Sequence, residues 1–323
     1  MFITGITGFI GKRLAQRLIE QGYEVSGMHR INSNIDLLKV PAQAKLFVAD
    51  LNNQRSMENA IKEANPEVIV HLAALSSGGL SFNFPEEYLQ TNEIGTFKLL
   101  SAIKNLKGSQ DINTAKLVFA GSMEVYGYQN SNEPFSETLE LGPASSPYGL
   151  SKQNAERVIE YFAQAMPDVK MVIMRTANTY GREGAGFYLI EYIIDSLLNK
   201  NDPKIKQPLD VRDFIFIDDH IDAYVKAIEK DCEGIFNIGA GLQLNNGQLQ
   251  ETISKLMKID NKKPGQRLQK QKPTSNDRPK QECFLSVRYE KASKNLGWSP
   301  LTTLDEGLRK TIKMREYFFK TKN

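Results

Sequence analysis

The stretch "MFITGITGFIGKRLAQRLIEQGYEVSGMHR", residues 1–30, decides the fold. A short apolar run, Phe2–Thr4, meets three glycines three residues apart, Gly5, Gly8 and Gly11. Apolar residues then recur at helical spacing through Leu14, Ala15, Leu18 and Ile19, until Gly22 stops the helix. A second strand-like run, Tyr23–Met28, follows. Strand, glycine turn, helix and strand make one βαβ unit. Glycine accepts positive φ and lets backbone approach a ligand closely. The helix N-terminus behind it offers free N–H groups and the positive end of a dipole, which suit a pyrophosphate. The other reading of the same glycines is a tight turn with no ligand.

The rhythm continues down the chain. Ala44–Ala49, Val68–Leu72, Lys116–Ala120 and Lys170–Met174 read as strands. Arg55–Glu63, Tyr88–Lys104 and Tyr148–Ala165 read as helices between them. This alternation predicts an α/β fold, a doubly wound parallel sheet with ligands at the carboxyl ends of its strands. Beyond about residue 180 the pattern loosens. Strand-like pieces remain at Asp213–Ile217 and Ile235–Ile238, and helices at Asp219–Ile228, Asn246–Met257 and Leu304–Tyr317. These pieces predict a smaller mixed lobe assembled non-contiguously.

In such units the end of the second strand faces the adenosine ribose. An acid there suits the free hydroxyls of NAD, whereas an arginine accommodates the extra phosphate of NADP. Here the positions hold His29 and Arg30, with Asn32 and Ser33 nearby and no carboxylate before Asp36. NADP(H) is therefore expected, with NAD(H) as the alternative and a solvated loop arginine as the plain reading.

A second constellation lies in "SPYGLSK". Tyr148 and Lys152 are four residues apart, so a helix puts them on one face. An ammonium beside a phenol favours the phenolate, and such a tyrosine can move a proton at a carbonyl or alcohol. The preceding strand "KLVFA" ends in "GSMEVYG", which places Ser122 where a substrate oxygen would lie.

These motifs together resemble the extended short-chain dehydrogenase/reductases that act on nucleotide sugars. The resemblance runs from "TGITGFIG" through "HLAA", "GSMEVYG", "SPYGLSK", "NTYG" and "VRDFIFIDD" to "DRPKQE" and "NLGWSP". It implies a Rossmann domain over 1–180, with returning segments near 213–240, and a mainly nucleotide-sugar-binding lobe over 181–323. It implies Tyr148 as acid/base, Lys152 tuning it and holding the nicotinamide ribose, and Ser122 on the reacting oxygen. Glu124 would be a further general acid/base. The cofactor would be held by Gly5, Thr7, Gly8, Phe9, Ile10 and Gly11, by His29 and Arg30, and by Asp50, Leu51, Leu72 and Ala73. Ser76, Asn178, Arg212 and Arg278 would hold the substrate. For Arg212 the plain alternative is an ion pair with Asp210 or Asp213. The long helices 88–104 and 148–165 imply a homodimer through a four-helix bundle.

Family members reduce, epimerise, dehydrate or decarboxylate nucleotide sugars. Glu124 occurs in several of these types, and Met123 beside it cannot shuttle a proton. "VSGMHR", "GSMEVYG" and "SPYGLSK" are most similar to GDP-4-keto-6-deoxy-mannose reductases. Reduction of a nucleotide 4-keto-6-deoxyhexose by NADPH is thus the leading expectation. A 4,6-dehydratase, an epimerase or decarboxylase, and remotely a non-catalytic NADP sensor are the alternatives.

Composition excludes little and agrees with this. The net charge of +3 carries no strong nucleic-acid or membrane attraction. Lys262–Lys280 is basic but lacks interleaved aromatics, so RNA is not expected. No apolar run reaches the length of a membrane span, and no signal peptide is expected. With 2 cysteines and no disulfide framework, a reducing compartment, the cytoplasm, is expected. The 3 histidines show no paired spacing, so no metal site is expected. His71 reads as a packed histidine at a sheet end, Asp218-Asp219-His220 as a helix N-cap, and Cys232 and Cys283 as inert.

Overall fold

The computed structural model describes residues 1–31, 39–129, 131–184, 186–258 and 282–322. Seven strands form a wholly parallel sheet: β1 (Phe2–Thr4), β2 (Ser26–His29), β3 (Lys45–Val48), β4 (Val68–His71), β5 (Lys116–Ala120), β6 (Lys170–Thr176) and, after three short strands, β10 (Gly234–Ile238). Their spatial order is β10-β6-β5-β4-β1-β2-β3. Chain direction across the sheet reverses between β1 and β4, and a crevice opens there at the strand ends. The register places Thr4 beside His71 and beside Met28.

Successive strand residues point to opposite faces, and both faces are covered, so the strands are apolar throughout. Ile3, Val70, Val118 and Val172 pack on one side with Leu14 and Leu18 of α1 (Phe9–Glu20). Phe2, Ile69, Leu117 and Ile173 face the other side. That side is covered by α2 (Gln54–Ala64), α5 (Gly95–Gly108) and α6 (Pro147–Ala165), through Ile61, Leu99 and Ile159.

The helix expected over 88–104 is longer and interrupted. Two short helices, α3 (Gly78–Ser81) and α4 (Pro85–Tyr88), lead into a π-helical stretch, Leu89–Ile94, before α5 begins. A single wide turn of this kind shifts the phase of the helix and often marks a functional position. Here it carries Asn92, which is buried.

Helix α8 (Ile217–Glu229) returns to the parallel sheet and packs beside α1, while α7 (Leu189–Leu198), α9 (Asn246–Leu256), α10 (Glu290–Leu296) and α11 (Leu304–Lys322) complete the C-terminal part. Strands β7 (Asn178–Tyr180) and β9 (Phe214–Phe216) pair in parallel. Strand β8 (Val211–Arg212) sits between β11 (Leu244–Asn245) and β12 (Phe284–Leu285). Strands β8, β11 and β12 have two residues each, too few to show periodicity, and were not expected. Among the described residues, no helix is long and apolar enough to cross a membrane.

Candidate active site

A cavity of about 1320 Å³ opens at the carboxyl ends of β1, β4, β5 and β6. Its floor begins with the glycine turn. Gly5 has φ +72°, and a Cβ there would lie 2.9 Å from Ala73 Cα. A Cβ on Gly11 would lie 2.3 Å from the Gly5 carbonyl oxygen, so only glycine lets helix and strand approach this closely. Gly8 is the N-cap of α1, with no side-chain cap and no acid in the first turn. The first-turn N–H groups are thus left for an external anion. With Arg13 also lining the cavity, the turn fits the pyrophosphate of a dinucleotide.

Tyr148 and Ser122 meet as expected. Ser146 caps α6 by accepting from Gly149 N at 2.9 Å, and Pro147 occupies the first helical position. This start aims Tyr148 into the cavity from the first turn. Ser122 caps the 3₁₀ turn Met123–Tyr126, its hydroxyl accepting from Glu124 N at 3.2 Å. Ser146 also donates its hydroxyl to Glu124 Oε2 at 2.8 Å. Glu124, Ser122, Tyr148 and Lys152 therefore share one wall. Met123 is buried and is not part of it.

One electrostatic expectation is corrected. The Tyr148 phenol lies above its ordinary range, not below it. Burial is the main cause, and the charge of Glu124 adds to it, while the hydrogen bond with Ser122 opposes. The hydrogen bond that Lys152 makes is to backbone. Its ammonium donates to the Ala120 carbonyl at 2.8 Å and lies 4.7 Å from the Phe119 ring centre. Burial lowers its own pKa to about 8, against the pull of Glu156.

Of the other expected residues, Gly5, Gly8, Phe9, Ile10, Gly11, Leu72, Ser76, Asn178 and Arg212 line the cavity. Thr7, His29, Arg30, Asp50, Leu51 and Ala73 do not. Asp50 accepts from Asn52 N at 2.8 Å in a tight turn, and Leu51 packs beneath Gly95. Ala73 donates its N–H to Thr4 Oγ1 at 3.1 Å. Arg278, like Asn32, Ser33, Asp36 and the run 262–280, lies outside the described residues. Arg212 makes the ion pair with Asp210, at 2.9 Å, and still faces the cavity.

Sequence reasoning missed a buried polar chain behind the wall. Thr96 donates to the Asn92 carbonyl at 2.5 Å, so it accepts from His71 Nε2 at 3.0 Å. His71 Nδ1 then accepts from Thr4 Oγ1 at 2.7 Å. Asn92 also donates to Ser151 Oγ and to the Leu75 carbonyl, both at 2.9 Å. Ser151 in turn donates to the Tyr148 carbonyl at 2.8 Å. No local pattern in the sequence around Asn92 signals it. Also missed was Arg182, whose guanidinium lies 3.8 Å from the Tyr188 ring centre and 4.4 Å from that of Phe9. Asp218 and Asp219 sit in the first turn of α8 and do not cap it; Asp219 instead accepts from Thr302 N at 2.9 Å. Cys283 is buried, with its thiol pushed up by burial. Among the described residues, no cluster of His, Cys, Asp or Glu could hold a metal ion.

This sheet, turn and wall define an α/β enzyme of the short-chain dehydrogenase/reductase type. The chain belongs to the GDP-mannose 4,6 dehydratase family, whose model matches residues 2–311, within the extended nucleotide-sugar epimerases and dehydratases. It is 27% identical to dTDP-glucose 4,6-dehydratase of Haemophilus influenzae, over 97% of this chain and 96% of that one. It is 25% identical to UDP-glucuronate 4-epimerase of Thermodesulfobacterium geofontis, over 96% and 94%. Among solved structures, UDP-glucose 4-epimerase of Thermotoga maritima with UDP-glucose superposes with a TM-score of 0.84, at 28% identity, covering 100% and 99%. The dTDP-glucose 4,6-dehydratase of Bacillus anthracis in complex with NAD gives 0.80, at 25% identity, covering 98% and 96%.

Proposed function

We propose that the protein is a nucleotide-sugar 4,6-dehydratase: it oxidises a nucleoside-diphosphate hexose at C4 and then removes water across C5 and C6. The supporting observation is Glu124, a carboxylate held by Ser146 on the same wall as Tyr148. Glu124 is the acid/base that dehydration requires, and it occurs in other reaction types of the family as well. The relatives that match nearly the whole chain are dehydratases and epimerases. Those relatives set dehydration above the reduction expected from sequence.

In this reading Tyr148 takes the proton of the C4 hydroxyl as its phenolate, a form that burial disfavours and that the positive charge of a bound oxidised nicotinamide would favour, and Ser122 hydrogen-bonds the same oxygen. The glycine turn and Arg13 would hold a nicotinamide dinucleotide, which would supply reversible hydride transfer, so that no net redox change results. The C4 carbonyl acidifies the proton on C5. Glu124 takes that proton and passes it to the C6 hydroxyl, which leaves as water; once C6 is reduced, Glu124, reloaded from solvent, returns a proton to C5. With Met123 buried, one carboxylate performs these transfers.

Residues 1–180, with the returning β9–β10 segment, would hold the dinucleotide, and 181–323 the sugar nucleotide. Eight Lys or Arg against three Glu line the cavity, a balance suited to two bound diphosphates. Arg30 at the end of β2 supports NADP, and the NAD bound by the Bacillus anthracis relative supports NAD. A homodimer is proposed through the π-helical stretch, α5 and α6, where Ile94, Phe97, Leu150 and Tyr161 are exposed.

The test is incubation with UDP-, dTDP-, GDP- and CDP-hexoses, with NAD or NADP, in deuterated water. A 4-keto product that has lost one water and gained deuterium at C5 supports the reading. An epimer of unchanged mass assigns an epimerase instead, and absence of any product refutes both.

A further inference from the structure

Lys152 and Glu156 are one turn apart on α6, so their side chains leave the same face. Both reach the end of β5. The lysine ammonium bonds the Ala120 carbonyl, and Glu156 Oε1 lies 3.3 Å from where a Cβ on Gly121 would stand. Glu156 is 1% exposed, beneath the floor of the cavity. It is gripped side-on by Arg175 of β6, whose Nε donates at 3.2 Å to both carboxylate oxygens and whose Nη2 donates at 2.8 Å. Arg175 in turn lies 4.8 Å from the Tyr126 ring centre. A fully buried ion pair is costly to desolvate and contributes little net stability. Its place directly below the site lysine points to another role.

We propose that Glu156, locked by Arg175, is a positioning residue that keeps Lys152 charged and drawn to the end of β5. The surroundings leave it alone in that role. Around α6 stand Tyr88 on α4, Glu93 in the π stretch, Glu124 and Tyr126 in the 3₁₀ turn, His71 on β4 and Arg175 itself. Glu93 is bonded by Asn154 at 2.8 Å and Glu124 by Ser146. His71 is neutral, its pKa pushed down to about 3 by burial. Burial also drives Lys152 toward its uncharged form, and Glu156 is the group that opposes this. Without it, the ammonium would lose its proton within the working pH range, and the ribose contact and charge it offers would go with it.

The proposal rests on the reading that Tyr148 acts on the sugar with Lys152 holding the nicotinamide ribose beside it, but its test does not need turnover. Protein labelled with nitrogen-15 lysine, free of dinucleotide, is titrated by NMR, with the Lys152 Nζ signal assigned by its loss in K152R. The wild-type midpoint is expected near 8. E156Q should lower it by about one pH unit or more, at least a tenfold loss of proton affinity, and E156D should fall between the two. An unchanged midpoint in folded E156Q overturns the proposal. Should E156Q fail to fold because it strands a buried guanidinium, E156D takes its place, since it keeps a carboxylate for Arg175 and shortens the reach toward Lys152. Its midpoint must fall below wild type, and an unchanged value overturns the proposal. If no nucleotide sugar is converted while the midpoint still shifts, the dehydratase reading fails and the positioning role stands.

Discussion

Acidification from pH 7 to pH 5 should weaken the native state, and His71 is the group through which the effect is best measured. Its ring is 2% exposed and both nitrogens are committed, one accepting from Thr4 and one donating to Thr96. A second proton on Nδ1 would force the Thr4 hydroxyl from donor to acceptor and take from its hydrogen the partner it has in the folded chain. Burial accordingly lowers the folded pKa to about 3 from the ordinary 6.5. Between these values the unfolded chain binds the proton and the folded chain does not. Stability is therefore complete above about pH 6.5 and is lost as pH falls. Integrated from pH 7 to pH 5, the loss is about 2 kcal/mol for this one residue. His220 is lowered to about 3 in the same way and should add a similar loss. Asp213 acts oppositely: burial raises it to about 6, so it recovers about 1 kcal/mol over the same interval. The assay is urea unfolding followed by the single tryptophan, Trp298, which is 3% exposed. H71Q keeps one acceptor and one donor in the chain but cannot take up a proton. Its stability should fall with pH by about 2 kcal/mol less than wild type, since every other group is shared. Parallel pH curves for the two proteins would refute the buried, neutral histidine.

Two further outcomes follow from the site. Y148F should lower turnover by about a hundredfold or more while dinucleotide binding, measured by calorimetry, stays near wild type. G11A should lose dinucleotide affinity and melt at lower temperature, because its Cβ would stand 2.3 Å from the Gly5 oxygen and 2.7 Å from Ile6 Cα. The expected stability loss is about 1–3 kcal/mol, and unchanged binding with an unchanged melting temperature would contradict the close approach.

The first thirty residues already contained the βαβ unit, because strand period, helix period and glycine spacing are local properties of the chain. The Lys116–Ala120 strand and the helix that presents Tyr148 and Lys152 were legible for the same reason. Family resemblance supplied roles, and family comparison moved the favoured reaction from reduction to dehydration. What lay beyond the sequence was everything decided by meetings between distant segments. The wide turn at Asn92, the proton-ordered chain through His71, the Arg175 grip on Glu156 and the raised Tyr148 phenol all depend on burial and on partners dozens of residues away. A helical face can be read from spacing alone, but the direction of a pKa shift depends on which carbonyl, carboxylate or ring the folded chain brings against it.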